Sequence, residues 1–562
     1  MRDEARDAIG EDAAETTVAL NPMVGIRSKD MLRAIRRTAL QITKQPAVFA
    51  KHSLSMWSEW IEIIGGNSGL AADPKDRRFT DPAWQGNPLY RVWLQGYLSW
   101  KNSLGEWLAD TDLEGMDLRR AQFAVDLITD AMAPTNSLIG NPAAIKRTLD
   151  TGGRSLGTGF IQMLRDLRNN NGMPAQVDTS KYDVGENLAV TEGRVVFRNE
   201  LLELMQYRPK TESVYGVPLL VVPPQINKYY CLDLAPEKSL FKFLVEQGFQ
   251  VFAVSWKNPG PEMRDKGLDH YIEALKEAIT AVQSISRSPK INIMGACSGG
   301  ITSSVLAGHL QALGDSPINA ISLFVCGLSQ RADDSDLGIF TNASTLEYAR
   351  KQSQDKGILE GSTLARTFNW MRPNDLIWNY VVNNYLMGNK PPAFDVLYWN
   401  NDSTNLTATL HSDFIDILHA DPFVTAGDLS VCDTAIDLSQ VKSDVFLMGG
   451  VTDHITPWPA CYRSTKIFGG DVEYVLSNAG HIQSLINPPG NPKASYFVNR
   501  SGENPESNED WFTGAEKVQE SWWNYWAAWL SERSGNTKNA PRSLGNKSYR
   551  PMEAAPGTYV IE

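Results

Sequence analysis

The sequence predicts an α/β fold with a mostly parallel central sheet, preceded by a helical domain, and three observations carry that prediction. From about residue 176 short apolar runs alternate with helical segments; before it, apolar residues recur at helical spacing; and one apolar run stops at a cluster of small residues, "NIMGACSGG" (292–300). Alternation of strand and helix implies a parallel sheet with helices on both faces.

With 562 residues, 42% of them hydrophobic, the chain is long enough for several domains' worth of core. Its 53 basic and 65 acidic residues give a net charge of −12. No Lys/Arg-rich run resembles a stripe that tracks phosphates, which argues against nucleic acid as a partner. The start, "MRDEARDAIGEDAAETT", lacks the basic opening and apolar core of a secretion signal. No stretch reaches the roughly 18 apolar residues of a transmembrane helix. A soluble, cytoplasmic protein is the expectation. Cys231, Cys297, Cys326, Cys432 and Cys461 form no CxxC pair and are odd in number, so neither a disulfide framework nor a zinc site is expected. Taken singly, each reads as a small buried hydrophobe. His52, His270, His309, His411 and His419 show no metal-ligand spacing, and no metal is assigned.

In chain order, residues 1–20 read as an acidic, disordered tail and 21–175 as a helical domain. Within the latter, "SKDMLRAIRRTALQITKQP" (28–46) has a Ser cap, apolar spacing of three and four, and a terminal proline, and "DLRRAQFAVDLITDAMAP" (117–134) repeats the pattern. "RNNNGMP" (168–174) then breaks the chain, and 176–562 form the α/β domain. "NLAV", the turn pair Glu192-Gly193 and "RVVF" read as a hairpin. "PLLVVP" (218–223), "FQVFAVSW" (249–256), "INIMGA" (291–296), "AISLFVCG" (320–327), "SDVFLMGG" (443–450) and "VEYVLS" (472–477) read as buried strands. Residues 330–440, helical and aromatic, interrupt this rhythm and are expected to form an inserted cap over the sheet's active end. "SWWNYWAAWLSERSG" (521–535) reads as a helix ended by Gly535, its tryptophans packed on the sheet.

A strand followed by Gly-x-nucleophile-x-Gly is the nucleophile elbow of the α/β-hydrolase fold, in which the chain turns so sharply into a helix that flanking side chains must be tiny. Two frames fit. Gly295-Ala296-Cys297-Ser298-Gly299 puts Cys297 at the apex; Ala296-Cys297-Ser298-Gly299-Gly300 puts Ser298 there. Glycine on both flanks favours the first. The helix N-terminus behind the apex would favour thiolate and the oxyanion of a tetrahedral intermediate. Partners follow in the order nucleophile, acid, histidine: Asp453 in the loop after "SDVFLMGG" and His481 in the loop after "VEYVLS". His454, beside the acid, is either a supporting residue or simply surface. The oxyanion hole needs the Ser298 amide and a second donor from the loop "VVPPQINKYY" (221–230), with Ile226 or a neighbour as candidate. Attack by a thiolate on a thioester yields another thioester, which keeps its transfer potential for an alcohol, so a thiol nucleophile suggests acyl transfer more than ester hydrolysis.

At this point the residues resemble a known family. "GACSGG", "VPPQINKYY", "LDLAPEKSL", "FAVSWKNP", "GLDHYI", "MRPNDLIWNYVVNNYLMG", "VTDHITPW" and "NAGHIQSLINPP", with "LNPMVGIRSKDML" and "DRRFTDPAWQGNPLY" upstream, look like a polyhydroxyalkanoate synthase. They are most similar to the single-subunit, medium-chain class (class II). The resemblance implies polymerisation of (R)-3-hydroxyacyl-coenzyme A into polyester with release of coenzyme A, no cofactor, attachment to cytoplasmic granules and a homodimer. It places the nucleophile on Cys297, the acid on Asp453 and the histidine on His481, and so selects the cysteine frame. A hydrolase with the same triad and a non-catalytic granule-binding protein are the competing expectations.

Overall fold

The computed structural model describes residues 28–314, 316–331, 343–363, 370 and 373–562. The acidic tail expected over 1–20 lies outside the described residues, as does part of the expected insertion. The chain divides into two compact units: a helical one running to Asp178 that also takes in the segment ending at Ala393, and a second holding the rest of the chain from Thr179.

The helical unit is built from α1 (Ser28–Lys44), α2 (Pro46–Gly65), α3 (Pro88–Ala109), α4 (Gly115–Ala131), α5 (Pro142–Asp150) and α6 (Arg154–Asn169). Proline opens α2, α3 and α5, where a missing amide costs nothing. Asn87 and Asn141 cap α3 and α5 by accepting the amides of Leu89 and Ala144. One core gathers Phe79, Trp84, Leu94 and Tyr97, and another Trp107, Leu108, Ala121 and Val125.

The insertion expected over 330–440 is divided between the units. Its stretches Asn374–Trp378 and Val381–Leu386 wind with π-helical hydrogen bonding and belong to the helical unit. Asn384 Nδ2 donates to the Ala175 carbonyl at 2.7 Å, Tyr385 hydroxyl to Asp166 at 2.9 Å, and Gln176 Nε2 to the Leu376 carbonyl at 2.8 Å. These polar partners fix the segment where apolar periodicity alone gives no signal.

The second unit carries a ten-stranded sheet. Its strands are β1 (Gly193–Arg198), β2 (Leu202–Tyr207), β3 (Leu219–Val222), β4 (Val251–Trp256), β5 (Ile291–Ala296), β6 (Ile318–Phe324), β7 (Asp444–Gly450), β8 (Val472–Ser477), β9 (Tyr496–Val498) and β10 (Glu516–Val518). The spatial order is β1-β2-β4-β3-β5-β6-β7-β8-β9-β10. All neighbours from β4 to β8 in that order pair parallel, and the strands at both edges pair antiparallel. Both faces of β3, β4 and β5 are buried, which is why these strands read as unbroken apolar runs. The helices used below are α7 (Leu268–Ser286), α8 (Ser298–Ala312) and α9 (Trp522–Glu532).

Two strand expectations are corrected. The hairpin does not turn at Glu192-Gly193; Gly193 starts β1 and pairs with Tyr207 of β2. Its turn is set by Asn199, whose Oδ1 accepts the amides of Leu201 and Leu202 at 3.1 and 3.0 Å. β6 ends at Phe324, because Val325 takes a left-handed φ of 44° and donates its amide to the Met448 carbonyl at 2.7 Å. The tryptophans of α9 are core, as expected: Trp522 and Trp526 pack against Phe324 at centroid separations of 4.7 and 4.9 Å.

Gly159 of α6 lies so close to the Val381–Leu386 segment that a Cβ there would sit 1.9 Å from the Tyr385 carbonyl oxygen, whereas Gly157, half a turn away, faces open space. Gly159→Ala should therefore destabilise the protein by about 1–3 kcal/mol, while Gly157→Ala should leave it unchanged or raise stability by up to ~1 kcal/mol. Denaturant unfolding of the two variants checks this, and equal behaviour would contradict the packing.

Candidate active site

Close backbone approach builds the apex. A Cβ on Gly295 would meet the Gly299 carbonyl and Gly300 Cα at 2.6 Å, and one on Gly299 would meet the Val222 carbonyl at 2.3 Å. Gly300 similarly faces Cys326 Sγ at 2.7 Å. Between these contacts Cys297 adopts φ 51° and ψ −122° as the cap of α8, with its amide donating to the Phe324 carbonyl at 2.9 Å. Ser298 is instead the first residue of the helix, and its buried Oγ accepts the Gln225 amide at 3.3 Å. The strained apex belongs to Cys297, and the serine side chain holds the neighbouring loop.

Asp453 follows β7 and His481 follows β8. Asp453 Oδ1 accepts the amides of Ile455 and Thr456 at 2.9 and 3.0 Å, which fixes the carboxylate, while its Oδ2 takes His481 Nδ1 at 2.7 Å. Thr456, which sequence reasoning missed, donates its hydroxyl to the Val325 carbonyl at 2.8 Å and lies 2.9 Å from Asp453 Oδ2 and 3.2 Å from His481 Nδ1. The spacing Asp-x-x-Thr, with an acid capping the amides two and three residues on, was the available signal.

Cys297, Asp453 and His481 are 4%, 5% and 3% exposed. Burial pulls the His481 pKa down, but the charge of Asp453, then that of Cys297 and hydrogen bonding to both, outweighs it and pushes the ring up to about 10. His481 Nε2 is buried with no hydrogen bond of good geometry, and Cys297 is the side chain that acts on the ring from outside the Asp453 pair. The imidazolium form is the one that stabilises a thiolate.

Three further cysteines surround this thiol. Cys231, Cys326 and Cys461 all lie close enough to Cys297 to feel its charge. Burial pushes the Cys231 thiol up to about 12 and those of Cys326 and Cys461 well above the ordinary value. They are thus neutral thiols packed as small apolar groups around the one that sits at the bend.

The loop after β3 brings Ile226 beside the start of α8. Residues 395–404 of the expected insertion clamp this loop: Trp399 Nε1 donates to the Lys228 carbonyl at 2.7 Å, and Thr404 Oγ1 donates to the Gln225 carbonyl at 2.9 Å. Tyr230 hydroxyl and Lys228 Nζ both reach Asp402 at 2.8 Å. Among the described residues, neither the Ser298 nor the Ile226 amide donates to a backbone carbonyl outside the regular elements. His454 is solvent-exposed, whereas its neighbour Asp453 is buried.

Comparison with known proteins adds two family matches and several close relatives. The family described as "Poly-beta-hydroxybutyrate polymerase (PhaC) N-terminus" matches residues 75–244, and the family "alpha/beta hydrolase fold" matches residues 218–488. The chain is 50% identical over its full length and that of "Poly(3-hydroxyalkanoate) polymerase 1" from Ectopseudomonas oleovorans. It is 47% identical to polymerase 2 of the same organism, covering 96% of each chain. It is 38% identical to "Poly(3-hydroxyalkanoate) polymerase subunit PhaC" from Cupriavidus necator, covering 95% of this chain and 91% of that one.

A raised folded-state pKa makes the His481–Asp453 pair stabilising below the unfolded histidine value of about 6.5, and that contribution is lost as pH climbs to about 10. Asp453→Asn should consequently lower the melting temperature more at about pH 6 than at about pH 10. Thermal melts of both proteins across that range check this; an equal loss at both ends would contradict the pair.

Proposed function

The chain belongs to the poly(3-hydroxyalkanoate) polymerase family, and from that premise we propose that it polymerises (R)-3-hydroxyacyl-coenzyme A of medium acyl length through an acyl-cysteine at Cys297. The observation that carries the reading is the buried constellation itself: a cysteine at a strained strand-to-helix bend, acted on by an imidazole that Asp453 holds at 2.7 Å.

In the first half-reaction Cys297 reacts as the thiolate paired with protonated His481, and its sulfur adds to the substrate thioester carbonyl. The amides of Ser298 and Ile226 receive the oxyanion. Collapse breaks the bond to coenzyme A, whose sulfur takes the proton from His481 and leaves. In the second half-reaction His481 removes the proton from the 3-hydroxyl of a chain end or incoming unit, and the resulting alkoxide attacks the acyl-cysteine. An ester forms and the Cys297 thiolate is released. Asp453 keeps Nδ1 protonated and Nε2 facing the sulfur, while Thr456 holds the carboxylate in place.

Water competes with the alcohol for the acyl group, and burial of the triad supports exclusion of water. Access for an acyl chain then requires the 395–404 segment to move off the 225–230 loop. Assembly as a homodimer and attachment to polyester granules complete this reading.

Supplying (R)-3-hydroxyacyl-coenzyme A of graded length tests it. Release of coenzyme A together with insoluble polyester is expected, fastest with medium chains; soluble hydroxy acid alone would make the protein a hydrolase. Cys297→Ala should abolish coenzyme A release; unchanged release would move the chemistry off Cys297, and no release from either protein would leave a non-catalytic granule protein as the reading. Asp453→Asn should lower turnover by about 10²-fold or more.

A further inference from the structure

On a separate part of the catalytic unit, α7, the far end of α8 and a short hairpin bring together three donors of different chemistry. A carboxylate oxygen of Glu273, a ring nitrogen of His309 and the Cys432 sulfur lie within 4.8 Å of one another. We propose that Glu273, His309 and Cys432 form a binding site for a divalent cation of the zinc class, with a fourth position open to solvent.

The hairpin is shaped to present the sulfur. Ser430 pairs with Ala435 and Val431 with Thr434, leaving Cys432 and Asp433 as a two-residue turn with φ of 50° and 56°. Such turns ordinarily carry Asn-Gly, because left-handed backbone is unfavourable for other side chains. The bend is tied down by the Cys432 amide, which donates to Asp269 Oδ1 of α7 at 2.8 Å. On the opposite side, a Cβ on Gly308 would sit 2.7 Å from Ile436 Cγ2, so the glycine beside His309 lets the chain leaving the hairpin lie against α8.

His309 supplies an independent observation. It is 2% exposed, and its Nδ1 makes no hydrogen bond, although the Val431 carbonyl lies beside the ring. A proton on Nδ1 directed at that carbonyl would leave the lone pair of Nε2, the nitrogen near Lys276, for a metal. Burial and then the Lys276 charge hold the ring below its ordinary pKa, in the neutral form that ligates metals.

The donors already attract a cation. Lys276 Nζ sits 2.8 Å from Glu273 Oε1 and 3.4 Å from His309 Nε2. On binding, the metal displaces this ammonium to solvent on its flexible stem, and the Cys432 thiol gives up its proton as the metal–sulfur bond forms. Burial, followed by the charges of Asp269 and Glu273, pushes that thiol up to about 11, so the anions that retain the proton are those that would favour a metal ion in its place. Since Cys297 caps α8, occupancy would tie α7 and the hairpin to the helix that starts at that thiol.

Titration of full-length Cys297→Ala/His481→Gln protein with Zn²⁺ against a chromophoric competitor tests the site without interference from the triad. One equivalent should bind, and Co²⁺ in its place should give a sulfur-to-metal charge-transfer band. Adding Cys432→Ser should abolish the band and weaken Zn²⁺ binding by about 100-fold or more. Glu273→Gln, on an exposed side chain, should weaken binding while leaving the circular dichroism spectrum intact. Lys276→Gln, which removes the competing ammonium, should tighten it. No bound Zn²⁺, a band that survives Cys432→Ser, or weaker binding in Lys276→Gln would overturn the proposal.

Discussion

Between the last residue of β5 and the first of α8 the backbone at Cys297 takes φ 51° and ψ −122°, a conformation open to glycine and costly for a side chain. A strain of this kind costs about 1–3 kcal/mol and persists only where the surroundings impose it. Here they do so through contact. Gly295, Gly299 and Gly300 let the strand, the helix and the neighbouring loop approach to distances that any Cβ would forbid. The bend points one thiol out of the sheet's end, puts the amides of the first helical turn behind it, and leaves the adjacent hydroxyl of Ser298 to hold the 225–230 loop. The position of the thiol, the start of α8 and the placing of the loop thus share a single cause.

Around that bend, charge is confined. Asp453 is held by two backbone amides and His481, and it keeps the imidazole charged despite complete burial of the ring. Breaking such a pair from one side strands the other charge, at about 3–5 kcal/mol. Burial raises the pKa of the neighbouring thiols. Asp402 and Thr404 are joined by hydrogen bonds to the loop that carries Ile226.

The parallel strands were legible because burial of both faces writes them as unbroken apolar runs, and the meeting of Cys297, Asp453 and His481 because each follows such a run. The elbow frame was ambiguous in the sequence: Ser298 and Cys297 both sit among small residues, and only backbone torsion and the Gln225 contact separate them. Failures came where pairing is decided by side chains far apart in the chain. β2 is buried throughout but follows a turn made by Asn199, and Gly193 looked like the turn instead. Division of the insertion depends on Asn384, Tyr385 and Gln176 finding backbone and carboxylate partners some two hundred residues away. The gathering of Cys231, Cys326 and Cys461 about Cys297 belongs to the same class, since proximity of that kind leaves no local spacing.

Peptide mapping by mass spectrometry after rapid mixing with an (R)-3-hydroxyacyl-coenzyme A and acid quench examines the central claim at its atom. A hydroxylamine-labile acyl group on the peptide containing Cys297, with Ser298, Cys231, Cys326 and Cys461 unmodified, is the predicted result. Polyester formation with Cys297 free of acyl group throughout turnover, or acylation of Ser298 in its place, would contradict the account.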